Sequence, residues 1–315
     1  MKIISHKDIC NLNISPATCV DWVKESFSLK GTAQLPAKIS LHPQGNDFFN
    51  TMPCLLPAPN NFYGVKIVHR IKDATPSLGS DLLLYDSHAG ELLAMLDADW
   101  ITAMRTGAVA TLAIQTFRKN DTKTYGFIGL GNTGRATMLC LLDSEPDIMH
   151  KVVLMRYKDQ AEMFVERFKD YANVSFTICN DIKELVQLSD VIVSCITETQ
   201  DVLCDDINLY KDGCLIVPVH TRGFQNCDLF FDKVFADDTA HVSGFQYFNK
   251  FKQFAEIQDV ISGKSKGRES DNERILSYNI GLGLHDVVYA SKIYKMLKDI
   301  VPDISINHIS EKFWI

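Results

Sequence analysis

The chain has 315 residues, 46% of them hydrophobic and 23% charged, with a formal net charge of −7. That length accommodates two domains with separate cores, and the composition is too ordinary for large-scale disorder. The acidic balance argues against a nucleic-acid partner, which would require a basic footprint; the densest basic segment, Lys264-Ser265-Lys266-Gly267-Arg268, reads as a solvated loop.

At the N-terminus Lys2, His6, Lys7 and Asp8 interrupt any apolar stretch, so no secretory pattern is expected. No apolar run approaches membrane-spanning length, and a cytoplasmic location is the default expectation. The nine cysteines include no Cys-x-x-Cys pair. They predict neither a disulfide framework nor a zinc site, and most read as small buried hydrophobes.

The first predicted element is an amphipathic helix over 16–30, carried by Cys19, Val20, Trp22, Val23 and Phe27 with Pro16 in its first turn. Strand-like segments follow without intervening helices, at 38–42, 48–55, 62–70, 81–85 and 91–96. The last two flank Asp86-Ser87-His88-Ala89-Gly90, a hairpin turn. Such a run predicts a mainly antiparallel sheet. Lys66 falls mid-strand between Val65 and Ile67, where an inward-facing ammonium would need a partner; the solvent face of the strand is the alternative. A helix is predicted from Asp99 or Thr102 to Phe117, with Arg105 in its first turns. There a guanidinium and a helix N-terminus could both face an anion, or Arg105 could pair with Asp97 or Asp99.

From about residue 121 strands and helices alternate, with strands at 125–128, 152–155, 174–179, 191–196, 214–219 and 233–236. This is the βαβ rhythm of a doubly wound parallel sheet, which places a dinucleotide-binding domain inside another domain. Its first turn is Gly129-Leu130-Gly131-Asn132-Thr133-Gly134, after Tyr125-Gly126-Phe127-Ile128 and before a helix-compatible stretch over 135–142. In that setting the first glycine makes a tight turn, the second admits a pyrophosphate and the third packs helix on strand. The anion would sit on the helix N-terminus.

The second strand of this unit, Lys151-Val152-Val153-Leu154-Met155, ends at Arg156, where a ribose-contacting residue is expected. A guanidinium there suits the 2′-phosphate of NADP(H), so NADP(H) is the expected cofactor, with NAD(H) as the alternative. The chain closes with an amphipathic helix through Val287, Ala290, Ile293, Tyr294 and Leu297. His241 and His308 are expected at the surface.

These residues carry a family resemblance. Leu92-Leu93-Ala94-Met95-Leu96-Asp97-Ala98, Thr102-Ala103-Met104-Arg105-Thr106-Gly107-Ala108 and the Gly129–Gly134 turn resemble the ornithine cyclodeaminase/mu-crystallin family. So do Gly64-Val65-Lys66-Ile67-Val68, Val234-Phe235-Ala236-Asp237-Asp238 and Gly281 to Asp286 with Ala290 and Tyr294. The resemblance spans nearly the whole chain. It implies an α/β protein with a central Rossmann-type doubly wound parallel sheet over 120–278, inserted in an α+β substrate and dimerisation domain built from 1–119 and about 279–315. The expected assembly is a homodimer acting on a small amino or imino acid, with no nucleic-acid or membrane partner.

In the family the positions of Lys66 and Arg105 bind the substrate carboxylate, and Lys38 lies roughly where many relatives carry a further arginine. Gly129, Gly131, Asn132, Thr133, Gly134, Arg156 and Gly281 are the expected cofactor contacts. Cyclodeaminases have an aspartate after the strand read here as Leu215-Ile216-Val217-Pro218-Val219; the aligned residue in this chain is His220. A histidine can exchange a proton with an imine nitrogen but holds a cationic amine poorly. A second departure is His285 before Asp286, where relatives carry Glu-Asp; Asp286 would cap the last helix or reach the substrate region.

The leading expectation is an NAD(P)H-dependent reductase of α-imino acids, including cyclic ketimines, or in reverse an amino-acid dehydrogenase. Alternatives are a cyclodeaminase-type lyase using bound NAD, a synthase of amino-acid conjugates, and a non-catalytic NADPH-binding crystallin-like protein.

Overall fold

The computed structural model describes residues 1–306 apart from 198, 200 and 220–222. The chain divides into two compact units, one made of Met1–Asn13, Leu29–Thr102 and the segment from Gly283 onward, the other of Ile14–Ser28 and Ala103–Leu282.

The chain opens with β1 (Lys2–Ile4), α1 (His6–Asn11) and α2 (Pro16–Leu29). Strands β2 (Ile39–Leu41), β3 (Phe48–Leu56), β4 (Phe62–Arg70), β5 (Leu78–Asp86) and β6 (Glu91–Asp97) follow, then α3 (Asp99–Phe117). In the first unit the six strands pair in the order β1-β6-β5-β4-β3-β2, antiparallel except for β1 against β6. The run of strands therefore forms the expected sheet, with β1 as an addition that its three residues gave no pattern to reveal.

Register decides which side chains of this sheet are inside. Lys66 pairs across to Met52 and Leu82, and all three share a face with Cys54, Val68, Leu84, Ala94 and Leu96, every one of them buried. The opposite face carries Ile3, Ile39, Leu41, Phe49, Ile67 and Met95, all exposed. A slip of one residue would exchange the two sets. The inner face is covered by the last helix, α9 (Gly283–Leu297), which lies along β3, β4 and β5. It seats so closely that a Cβ on Gly64 would lie 2.7 Å from Cγ2 of Val287.

The second unit is built on β7 (Thr124–Ile128), α4 (Asn132–Ser144), β8 (His150–Met155), α5 (Gln160–Arg167), β9 (Val174–Cys179), α6 (Ile182–Leu188), β10 (Val191–Ser194) and β11 (Leu215–Pro218). It continues with β12 (Lys233–Ala236), α7 (Thr239–Val242), β13 (Phe254–Glu256), α8 (Ile257–Ile261) and β14 (Ile275–Tyr278). All eight strands are parallel, in the order β13-β12-β14-β11-β10-β7-β8-β9. Every residue of β10, β11, β12 and β14 is buried, as strands covered on both faces must be. The strand order reverses between β7 and β10, and in open α/β sheets that switch point is where ligands bind, beyond the carboxyl ends of the strands.

Among the described residues no helix is long and apolar enough to cross a membrane. Eight of the nine cysteines are buried, Cys10 being the exposed one. Burial pushes the thiols of Cys195 and Cys214 up to about 12.

Candidate active site

The glycine turn occupies the place its sequence demands. Gly129 leaves β7 with φ +83, a conformation that side chains resist. A Cβ there would lie 2.6 Å from the carbonyl carbon of Cys195, just past β10, so the turn is pressed against the neighbouring strand at the switch point. Gly134 has the same intolerance, since its Cβ would meet the Gly129 carbonyl oxygen at 2.5 Å. Gly131 differs: it is the N-cap of α4 with φ −74, it is exposed, and a Cβ would meet nothing within 4 Å. Within this chain alone an alanine would fit there. The N–H groups of Asn132, Thr133 and Gly134 form the first turn of α4, the part of a helix whose donors have no partner within the helix. A shallow backbone cradle beside open space is thus the geometry a pyrophosphate requires.

Arg156 follows the last residue of β8, as expected, and its side chain is 43% exposed. Its guanidinium donates from Nη1 to Oε1 of Glu162 on α5. An anion at Arg156 would therefore compete with a carboxylate already there.

Arg105 and Gly281, assigned separately to substrate and cofactor, come together in the second unit. Gly281 adopts φ +100, and a Cβ on it would lie 2.5 Å from Nη1 of Arg105, so the glycine leaves room for the guanidinium. Its N–H donates to Oδ2 of Asp237 at 2.5 Å. The other oxygen of Asp237 lies 3.3 Å from Nδ1 of His241. Asp237 is fully buried and the His241 side chain is only 9% exposed, so the expectation of a surface histidine is corrected. The four-residue α7 turns its imidazole back onto the end of β12. Arg105 itself is 6% exposed; it lies in the second turn of α3, at whose start Asp97 accepts from the Asp99 N–H and the Asp99 carboxylate accepts from the Ser80 hydroxyl.

In the first unit Lys66 has no solvent exposure, and its Nζ donates to Oδ1 of Asp286 at 2.8 Å, a residue equally buried. The solvent-face alternative for Lys66 is thereby excluded. Asp286 stands in the first turn of α9, so the helix that covers the sheet also delivers the counter-charge, across 220 residues of sequence. Burial and the Asp286 charge push the thiol of Cys54 up to about 12, keeping it protonated beside the pair. Lys38 stands half-buried just before β2, and His285 is fully buried. His220 lies outside the described residues, as does His308.

Sequence reasoning did not find the Lys66–Asp286 pairing or the Asp237–His241 contact. Asp237 and Asp286 were both in view as parts of motifs. What was missing was the fold that joins them to residues far away in the chain.

Residues 2–300 match the model of the ornithine cyclodeaminase/mu-crystallin family. The chain is 24% identical to the nodulation efficiency protein NfeD of Rhizobium meliloti, over 94% of this chain and 95% of that protein. It is 26% identical to a Delta(1)-pyrroline-2-carboxylate reductase of Colwellia psychrerythraea, over 95% of this chain and 100% of that protein. The solved structure of Thermococcus litoralis Delta(1)-pyrroline-2-carboxylate reductase, in complex with NADH and L-proline, superposes with a TM-score of 0.84 at 21% identity, covering 96% of this chain and 100% of that one. At that identity the likeness establishes a shared fold.

Proposed function

The chain belongs to the ornithine cyclodeaminase/mu-crystallin family, and from that premise we propose that it is an NAD(P)H-dependent oxidoreductase acting at Cα of small amino or imino acids, reducing an α-imino acid such as a cyclic ketimine or oxidising the corresponding amino acid. The observation that carries this reading is the ion pair of Lys66 and Asp286, with neither side chain exposed. Removing two charges from water costs more than an apolar pair of similar volume would, so a fold without use for that ammonium gains nothing by keeping it. The reading assigns Lys66 and Arg105 to the substrate carboxylate, with Lys38 as a further contact. A cation anchored in advance by Asp286 is presented at low entropic cost.

The residues present fit a dinucleotide: the Gly131 position leaves open space before the first turn of α4, and a pyrophosphate is the group such a cradle accepts. Gly129, Asn132, Thr133 and Gly134 shape that cradle, while Gly281 leaves space for the Arg105 guanidinium. The chemistry supplied by a bound nicotinamide is hydride transfer to or from Cα. The protein's own part is to hold the acid group, exclude water and exchange one proton at the imine nitrogen, which we assign to His220. The exposed apolar face of the six-stranded sheet, with Ile39, Leu41, Phe49, Ile67 and Met95, supports a homodimer formed through it, since monomers rarely leave such a patch bare.

The test is a panel of cyclic and acyclic α-imino acids with NADH and NADPH. Stoichiometric loss of the reduced-nicotinamide absorbance with amino-acid formation is the expected result. Ammonia release from a diamino acid without net absorbance change would replace the reductase by a lyase. Tight dinucleotide binding with no turnover would replace both by a binding role.

A further inference from the structure

Strand β14 ends at Tyr278, and the next residue, Asn279, is 3% exposed. Its backbone N–H donates to the carbonyl of Pro218, the last residue of β11, at 3.1 Å. Asn279 therefore sits at the carboxyl edge of the parallel sheet, two residues before Gly281 and its Arg105 neighbour. Among the described residues, neither Oδ1 nor Nδ2 of its side chain has a hydrogen-bond partner. A buried carboxamide with both halves unmatched is unusual, because burial of a polar group without a partner is unfavourable. Placed at the ligand-binding edge of a doubly wound sheet, it is a group awaiting a complement.

The identity of the complement follows from what is unmatched. Nδ2 offers donors and Oδ1 offers acceptor sites. A carboxylate would satisfy the donor and leave Oδ1 without a partner; an ammonium would do the reverse. A primary carboxamide satisfies both at once, in a paired donor–acceptor arrangement. The one reactant of the proposed reaction that carries a primary carboxamide is the nicotinamide ring. We propose that Asn279 is the nicotinamide-positioning residue, its side-chain amide pairing with the ring's carboxamide and fixing the rotation of the ring. This rests on the oxidoreductase reading and adds to it a residue that selects nicotinamide over its acid analogue.

The test is calorimetric and needs no turnover. Wild type, Asn279→Ala and Asn279→Asp are titrated with NAD and ADP-ribose, and with NADP and 2′-phospho-ADP-ribose, the second member of each pair lacking the ring. Asn279→Ala is expected to weaken the ring-bearing ligand by about tenfold while the ring-free ligand binds as to wild type, which also shows that the variant is folded. Asn279→Asp, of nearly the same shape but without the donor, should lose ring-bearing ligand to a similar degree. Wild type should disfavour nicotinic acid adenine dinucleotide against NAD, and the alanine variant should not. Equal weakening of both members of a pair would assign Asn279 to the fold, and unchanged affinity for both would also overturn the proposal. If wild type binds ring-free ligands normally but gains nothing from the ring, this subsite fails alone. If wild type binds no member of either pair, the oxidoreductase reading fails with it.

Discussion

The two units are built around different features. The six-stranded sheet commits a buried charge: Lys66, far from water, is held by Asp286 at 2.8 Å under a covering helix. The parallel sheet commits backbone: a glycine turn pressed against Cys195, a helix start beside open space, and Gly281 yielding its side-chain volume to a guanidinium. The difference teaches where each unit is vulnerable. A site made of charge fails when one partner is removed, even if the shape survives. A site made of backbone tolerates changes of side-chain chemistry but not an added carbon.

The largest expected effect breaks the charged side. Lys66→Met leaves Asp286 buried without its cation and should cost about 3–5 kcal/mol in denaturant unfolding. Adding Asp286→Leu to that variant should return most of the stability while activity stays lost, because the oily pair fills the space but holds no acid group. Full activity in the double variant would show the ion pair to be architectural. Next, Arg105→Ala should lower kcat/KM by the equivalent of about 2–5 kcal/mol in binding free energy, chiefly through substrate affinity, and Arg105→Lys should restore little because an ammonium lacks the planar fork; kinetics against substrate concentration separate these outcomes.

The backbone side is sharpened by comparing two neighbouring glycines. Gly129→Ala should cost about 1–3 kcal/mol of stability, since its φ is +83 and its Cβ would strike the Cys195 carbonyl. Gly131→Ala should leave the melting curve within about 0.5 kcal/mol of wild type, yet weaken dinucleotide binding on the order of tenfold. Unchanged affinity in that variant would remove the pyrophosphate from the cradle. Smallest is Glu162→Gln, which frees the Arg156 guanidinium from its exposed partner. A rise of about threefold in affinity for NADPH, with none for NADH, is expected from a pair this exposed.

Legibility in the sequence followed the range of the interactions. β4, β9 and β12 begin and end where their patterns do, because alternation and apolar runs are local signals. The glycine turn was equally plain, as its purpose is written in six consecutive residues. β13 and β14 were not found: β13 has only three residues, too few for a period, and β14, as short as β12, follows the polar stretch 262–273 and so falls outside the strand–helix alternation. The loss of β14 also hid Asn279, whose significance lies in what its side chain lacks. The Lys66–Asp286 pair was half legible. An inward ammonium calls for an acid, but only the packing of α9 on β4 says which one.

The burial of the cysteines has a practical consequence. With eight thiols shut inside and several held far from ionisation, the folded chain offers peroxide or a maleimide a single accessible thiol, Cys10 on α1. One fluorophore per chain can be attached there without engineering, and any second adduct reports that the fold has opened.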